Sequence, residues 1–281
     1  MNRKNVFLSV VTALALGLVG CGDDEVAGTG GTGGGGTGGT GGGGGSTTEM
    51  AMVTVAHFAP QIPTAMDTNV DIIVSGDADA VIEDLAYGES TGRVELAPGT
   101  YTFVVAAAGS TDPALTIPDV QLAAGTDITV VAYRSAVAEA PVAAFVFNNA
   151  TDGLASGSGR VYVGHGADDE ALDPVNVVTT DTLMMPTECT DLIPGFEFGT
   201  QQPGAEDAPL DIEADQVFVA FDLDADCPPV TLGPVDVPVN DNVVSILVAV
   251  DEDPTAALDV ELWAIVDASD TPIPLINVDP S

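Results

Sequence analysis

The sequence predicts an all-β chain, two tandem β-sandwiches carried on a disordered glycine-rich tether. Short runs such as Val70-Asp-Ile-Ile-Val, Tyr101-Thr-Phe-Val-Val and Ile128-Thr-Val-Val-Ala-Tyr are β-branched or aromatic and separated by Gly, Pro and Asp. Those turn signals return roughly every 8 to 15 residues, the spacing of a sandwich rather than of βαβ units. No apolar pattern of helical period extends over three turns to compete. Finally, the pattern of strands occurs twice.

The N-terminus opens with Arg3 and Lys4, continues through the apolar run Val6 to Val19, and ends in Leu18-Val19-Gly20-Cys21. This is the layout of a secretory signal. The apolar run is too short to cross a bilayer comfortably, which takes about 20 residues. The Leu-x-Gly-Cys ending resembles the bacterial lipobox, whose cysteine is lipidated before the chain is cut in front of it. The resemblance implies a signal peptide over residues 1–20 and a mature chain starting at an acylated Cys21. An uncleaved anchor, or an ordinary signal with an incidental cysteine, is the alternative. Lipoproteins of that class carry three acyl chains, and each buried methylene adds about 0.8 kcal/mol, so the anchor would be stable. Gly22 rather than Asp after the cysteine implies, by the sorting of the class, the outer membrane.

Residues 21–51 form the tether. From Gly28 to Ser46 the chain is almost entirely Gly and Thr, which has nothing to bury and maximal backbone freedom. Its r.m.s. reach is roughly 30 Å and its stretched reach roughly 100 Å, enough to lift a folded module from a membrane surface. A low-complexity expansion without consequence is the alternative.

Once Arg3 and Lys4 leave with the signal, only Arg93, Arg134 and Arg160 stand against 43 acidic residues, a formal charge of −40. Such a field repels nucleic acid and anionic headgroups. It leaves cations, basic proteins or neutral glycans as candidate partners, or a surface that serves solubility in a salty medium.

The first sandwich is expected over 52–150 and the second over 159–270, with a C-terminal tail at 271–281. Val53-Thr-Val-Ala-His57 is echoed by Val161-Tyr-Val-Gly-His165, and Val70-Asp-Ile-Ile-Val by Val175-Asn-Val-Val-Thr. Tyr101-Thr-Phe-Val-Val corresponds to Val217-Phe-Val-Ala-Phe, and Val142-Ala-Ala-Phe-Val-Phe to Leu258-Asp-Val-Glu-Leu-Trp. Asn148 to Gly159, rich in Asn, Ser and Gly, has the composition of a hinge between them.

At these residues a family appears. Val-x-Val-Ala-His57-Phe-Ala-Pro60, Val70-Asp-Ile-Ile-Val-Ser-Gly, Leu85-Ala-Tyr-Gly88, Leu96-Ala-Pro-Gly-Thr-Tyr101 and Leu122-Ala-Ala-Gly-Thr126 resemble the bacterial domain-of-unknown-function family four-three-nine-seven of secreted and surface proteins. The first copy departs from it in Ala59, where Ser is usual, and in an insertion between Pro63 and Val70. The second copy lacks the Pro after its His. The resemblance implies an immunoglobulin-like β-sandwich and supplies no activity, since that family has no established one.

With Cys21 acylated, Cys189 and Cys227 remain as an even pair in an oxidising compartment, and a disulfide is the natural reading. A metal pair or free thiols are the alternatives. The bridge would tie a long Pro186-to-Gly195 loop to the turn after Asp222–Asp226. Gly88-Glu-Ser90-Thr-Gly92 matches G-x-S-x-G, but a nucleophile elbow needs a strand-to-helix turn, and here the motif falls in a loop of an all-β domain. His57 and His165 occupy equivalent strand ends, which points to a shared structural duty ahead of metal or acid–base roles. Trp263, at the end of an expected strand, reads as core rather than as a sugar platform.

Asp222-Leu-Asp224-Ala-Asp226 alternates carboxylates, so that on an extended strand all three share a face suited to calcium. Asp168-Asp-Glu170 and Asp251-Glu-Asp253 are further acidic turns. The alternative is a solvated acidic face, and no other cofactor is indicated. The expected function is therefore a non-enzymatic envelope lipoprotein that binds a protein or glycan or serves as scaffold, set against an envelope hydrolase using Ser90 or the histidines.

Overall fold

Strand pairing in the computed structural model follows the alternation of the sequence. The structure describes residues 49–60, 69–74, 80–135, 141–168, 173–184, 186–202, 209–214, 216–222, 232–251 and 260–278. The first half holds β1 (Ala51–Phe58), β2 (Val70–Val74), β3 (Ala80–Leu85), β4 (Val94–Leu96), β5 (Gly99–Ala107), β6 (Pro113–Leu122), β7 (Asp127–Arg134) and β8 (Val142–Asn148). They form two four-stranded sheets, ordered β4-β1-β7-β8 and β3-β2-β5-β6. β1 and β7 run parallel, and every other pair in the two sheets is antiparallel.

The second half holds β9 (Ser158–Gly166), β10 (Val175–Thr180), β11 (Cys189–Phe196), β12 (Thr200–Gln202), β13 (Leu210–Glu213), β14 (Gln216–Asp222), β15 (Leu232–Pro238), β16 (Val244–Asp251), β17 (Val260–Val266) and β18 (Ile273–Val278). Its sheets are ordered β12-β9-β16-β17-β18, with β13 also on β9, and β11-β10-β14-β15. The topology of the first half thus recurs, including the parallel pair, now β9 with β16. His57 lies opposite Ala132, and His165 opposite Ala249, at the same place in each copy.

Two segments differ from expectation. The residues read as a C-terminal tail include β18, which pairs with β17. Most of the stretch read as a loop from Pro186 to Gly195 is β11, paired with β10. Both carry a proline and sit at sheet edges, where local sequence resembles loop and only the partner strand fixes the conformation.

Side chains on opposite faces of a strand enter different cores. Val53 and Val55 of β1 join Val70, Ile72, Phe103 and Ile128 in the core of the first sandwich. Ala56 and Phe58, on the other face, join Val131, Tyr133, Phe145 and Phe147 against Tyr162, Ile246, Val248 and Ile265 of the second copy. Val161, Val163, Leu247 and Leu262 point away from that layer into a third core with Val177, Ile193, Val219 and Val235. The four sheets therefore stack face to face, and the middle core belongs to both copies. Every residue of β9 and β16 is buried, as strands covered on both faces require.

This overturns the hinge reading of Asn148–Gly159. Asn149 is buried and bonded through its amide to Thr129 and Asp127, while Arg160 donates to the carbonyls of Ala150 and Asp152 and pairs with Asp211 at 2.8 Å. A buried Val, Ile or Phe contributes about 1.5–3 kcal/mol, so the shared core outweighs any freedom of the connecting segment.

Candidate functional site

Of the residues singled out by sequence, Ser90 and Trp263 lie on the seam between the copies, and His57 and His165 lie behind it against rings that reach it. The loop 86–92 lies beside β1: the His57 N–H donates to the Glu89 carbonyl at 3.0 Å, and the Gly88 N–H to the His57 carbonyl at 2.9 Å. In the second copy the Gly199 N–H donates to the His165 carbonyl at 2.7 Å. Gly88 and Gly199 have φ of +80° and +75°, a region that favours glycine. A Cβ on Gly88 would also stand 3.0 Å from the indole of Trp263.

Both histidines are buried, and each meets the edge of an aromatic ring from its own copy. Tyr87 lies 6.2 Å from His57 at 85°, and Phe198 lies 6.3 Å from His165 at 88°. Those rings carry the contact across the seam. Tyr87 and Phe58 pack on Trp263, the latter stacked at 5.1 Å, and Phe198 packs on Tyr133. Trp263 is in the middle of β17 rather than at a strand end, and it belongs to the shared core. Its indole N–H donates to Glu261 at 2.9 Å, and the Tyr87 hydroxyl donates to the same carboxylate oxygen at 2.5 Å.

Ser90 is buried, and its hydroxyl donates to the carbonyl of Ser269 in the other copy. Its backbone forms a β-bridge with Ala56, so Ser90 is held beside β1 between two glycines of positive φ, Gly88 and Gly92, and not on a strand-to-helix turn. Arg93 donates to Asp127 at 2.7 Å and to the side chain of Asp267 at 2.8 Å, joining the copies. Desolvation works against its charge, but the hydrogen bonds and attraction of Asp267 and Asp127 outweigh it and raise its pKa. Arg160 is raised by Asp211. Burial pushes the Tyr133 phenol from 10.0 up to about 12.

The acidic candidates do not assemble among the described residues. Asp222 is buried at the end of β14, while Asp224 and Asp226 lie outside the described residues. Asp251 accepts the Asp168 N–H at 2.5 Å, and Asp169, Glu170, Glu252 and Asp253 lie outside. No group of three metal-binding side chains occurs among the described residues. Cys189 begins β11, whereas Cys21 and Cys227 lie outside. A shallow concavity of about 370 Å³ is bordered by Asp236, Asn240 and Asp241.

Sequence reasoning missed Tyr87, Arg93, Gln201 and Glu261, the polar and aromatic fasteners of the seam. The available signal was Val243-Val-Ser-Ile-Leu-Val-Ala-Val250, a run without the polar alternation of a strand that faces water on one side. No curated protein matches the chain. Residues 51–175, the first copy together with the strand that begins the second, match the family described as "Domain of unknown function (DUF4397)".

Proposed function

We propose that the chain is a cell-envelope lipoprotein, anchored through Cys21 in the outer membrane, which presents its paired sandwiches as a non-enzymatic binding or scaffolding unit. The observation that carries this reading is the order of parts: Leu18-Val19-Gly20-Cys21, a Gly/Thr tether, then β-structure from Ala51 onward. The commitment of the Ser90 hydroxyl to the Ser269 carbonyl supports a contact role for that residue over a nucleophilic one. The two buried histidines are structural in this reading, and Cys189 and Cys227 form a disulfide. The acidic surface leaves basic proteins or neutral glycans as partners and disfavours nucleic acid.

The test is metabolic labelling with an alkyne-bearing fatty acid, followed by separation of inner and outer membranes. The wild-type chain is expected to carry the label in the outer-membrane fraction, and Cys21→Ala to lose both label and membrane association. A labelled Cys21→Ala chain, or an unlabelled soluble wild type, would overturn the reading. Alkylation of the denatured, unreduced protein is expected to leave Cys189 and Cys227 unmodified. Capture from envelope extract, with and without calcium, then identifies the ligand class.

A further inference from the structure

An outer strand of a sheet presents unpaired backbone groups, and natural proteins blunt it with prolines, charges, bulges or shortness. Among the described residues the outer strands follow this rule with one exception. β4 and β12 are three residues long, and β13 is four. β3 carries Glu83 and an Asp84 at φ 62°, while prolines interrupt β6, β11, β15 and β18. β8, Val142-Ala-Ala-Phe-Val-Phe-Asn148, has no proline and no charge. Its register against β7 runs without a bulge from Arg134↔Val142 to Ile128↔Asn148. Uncharged β-forming segments of this length are the ones that pair with further strands.

What meets this edge is a side chain from the other copy. The Val146 N–H donates to Gln201 Oε1 at 3.1 Å, and Gln201 Nε2 donates to the Val146 carbonyl at 2.9 Å. A primary amide thereby reproduces the donor and acceptor that one residue of a neighbouring strand would offer. The internal repeat shows what that place accepts. β17 is the counterpart of β8; the strand registers, two residues away from the pairing the sequence repeat suggests, match Val55–Val130–Val146 to Val163–Leu247–Ala264, and Ala264 lies opposite Ile273 of the added antiparallel strand β18.

We propose that the β8 edge is a strand-docking surface for the β8 edge of a second copy of this chain, and that Gln201 holds it closed. Self-pairing is favoured because two antiparallel β8 strands bring no charges together. On the rest of a surface with formal charge −38, approach of a second copy opposes carboxylates. Gln201 is half-exposed on a three-residue strand, so replacing it removes no core residue.

The experiment is sedimentation of the full chain, purified in detergent, as wild type, Gln201→Met and Gln201→Ala, with far-UV circular dichroism on each. Gln201→Met keeps the length of the side chain and loses only the amide. The wild type is expected to sediment as a monomer and both variants at twice its mass. Adding Val146→Pro, which removes the outward donor, is expected to restore the monomer. Folded variants that stay monomeric at high concentration would overturn the proposal. So would a dimer that survives Val146→Pro, because the pairing would then lie elsewhere.

Discussion

Tyr133 shows how much one side chain of the seam carries. It stacks on Phe145 at 4.1 Å, receives the edge of Phe198, and is 5% exposed. Its phenol is held protonated by burial, with a folded-state pKa of about 12 against 10.0. Because the folded value is the higher one, the associated stability is fully present below pH 10 and is lost as pH rises toward 12. The difference corresponds to about 3 kcal/mol. Urea unfolding followed from pH 9 to 12 is expected to show that loss, and Tyr133→Phe to reduce it. Nothing local in Asp127–Arg134 marks this tyrosine as an interfacial ring. The histidines were legible because they occur twice on similar strands, whereas their aromatic neighbours lie in loops whose shared aromatic-Gly pairs, Tyr87-Gly88 and Phe198-Gly199, are too short a signal to show which residue they meet.

At the level of elements, β9 pairs on both sides and packs on both faces, and its glycines are part of that fit. A Cβ on Gly164 would stand 2.8 Å from the ring of Phe145, which cannot swing away because Tyr133 is stacked against it. Gly164→Ala is therefore expected to destabilise the protein by about 1–3 kcal/mol, as overpacking of a core does, read as a lowered urea midpoint at constant slope. The central strands of the first sandwich, and β9, β10 and β14 of the second, were legible because apolar residues and turn residues act over a few positions, whereas β16, buried on both faces, was not read as a strand. β11 and β18 were not, since their strand character comes from hydrogen bonding to β10 and β17 and their sequences include Pro194 and Pro274.

For the whole molecule, the shared middle core joins two repeats into one four-layer unit. One cooperative transition is expected in calorimetry, with the fluorescence of the single tryptophan, Trp263, changing at the same temperature as the far-UV signal. Two separated transitions would show that the copies unfold independently. A fragment ending at Ala150 would expose Phe58, Val131 and Phe145 and is expected to self-associate and bind hydrophobic dyes, since large apolar patches seek cover. The ion pairs of Arg93 add little to this cohesion, because exposed pairs contribute about 0–1 kcal/mol.

The sequence by itself determined the all-β class, the doubling of the fold, most of the central strands and the resemblance of the first copy to a family. Each of these is written in short-range patterns: period-two alternation, turn residues, and motifs repeated along the chain. Only the tertiary structure decided that the two sandwiches share a core, that Ser90 meets Ser269, that Tyr87 and Trp263 converge on Glu261, and that Gln201 caps β8. Those contacts join residues as far apart as Ser90 and Ser269, 179 positions along the chain. Local alternation shows that a strand has an apolar face, but which surface covers that face depends on the packing of the entire chain.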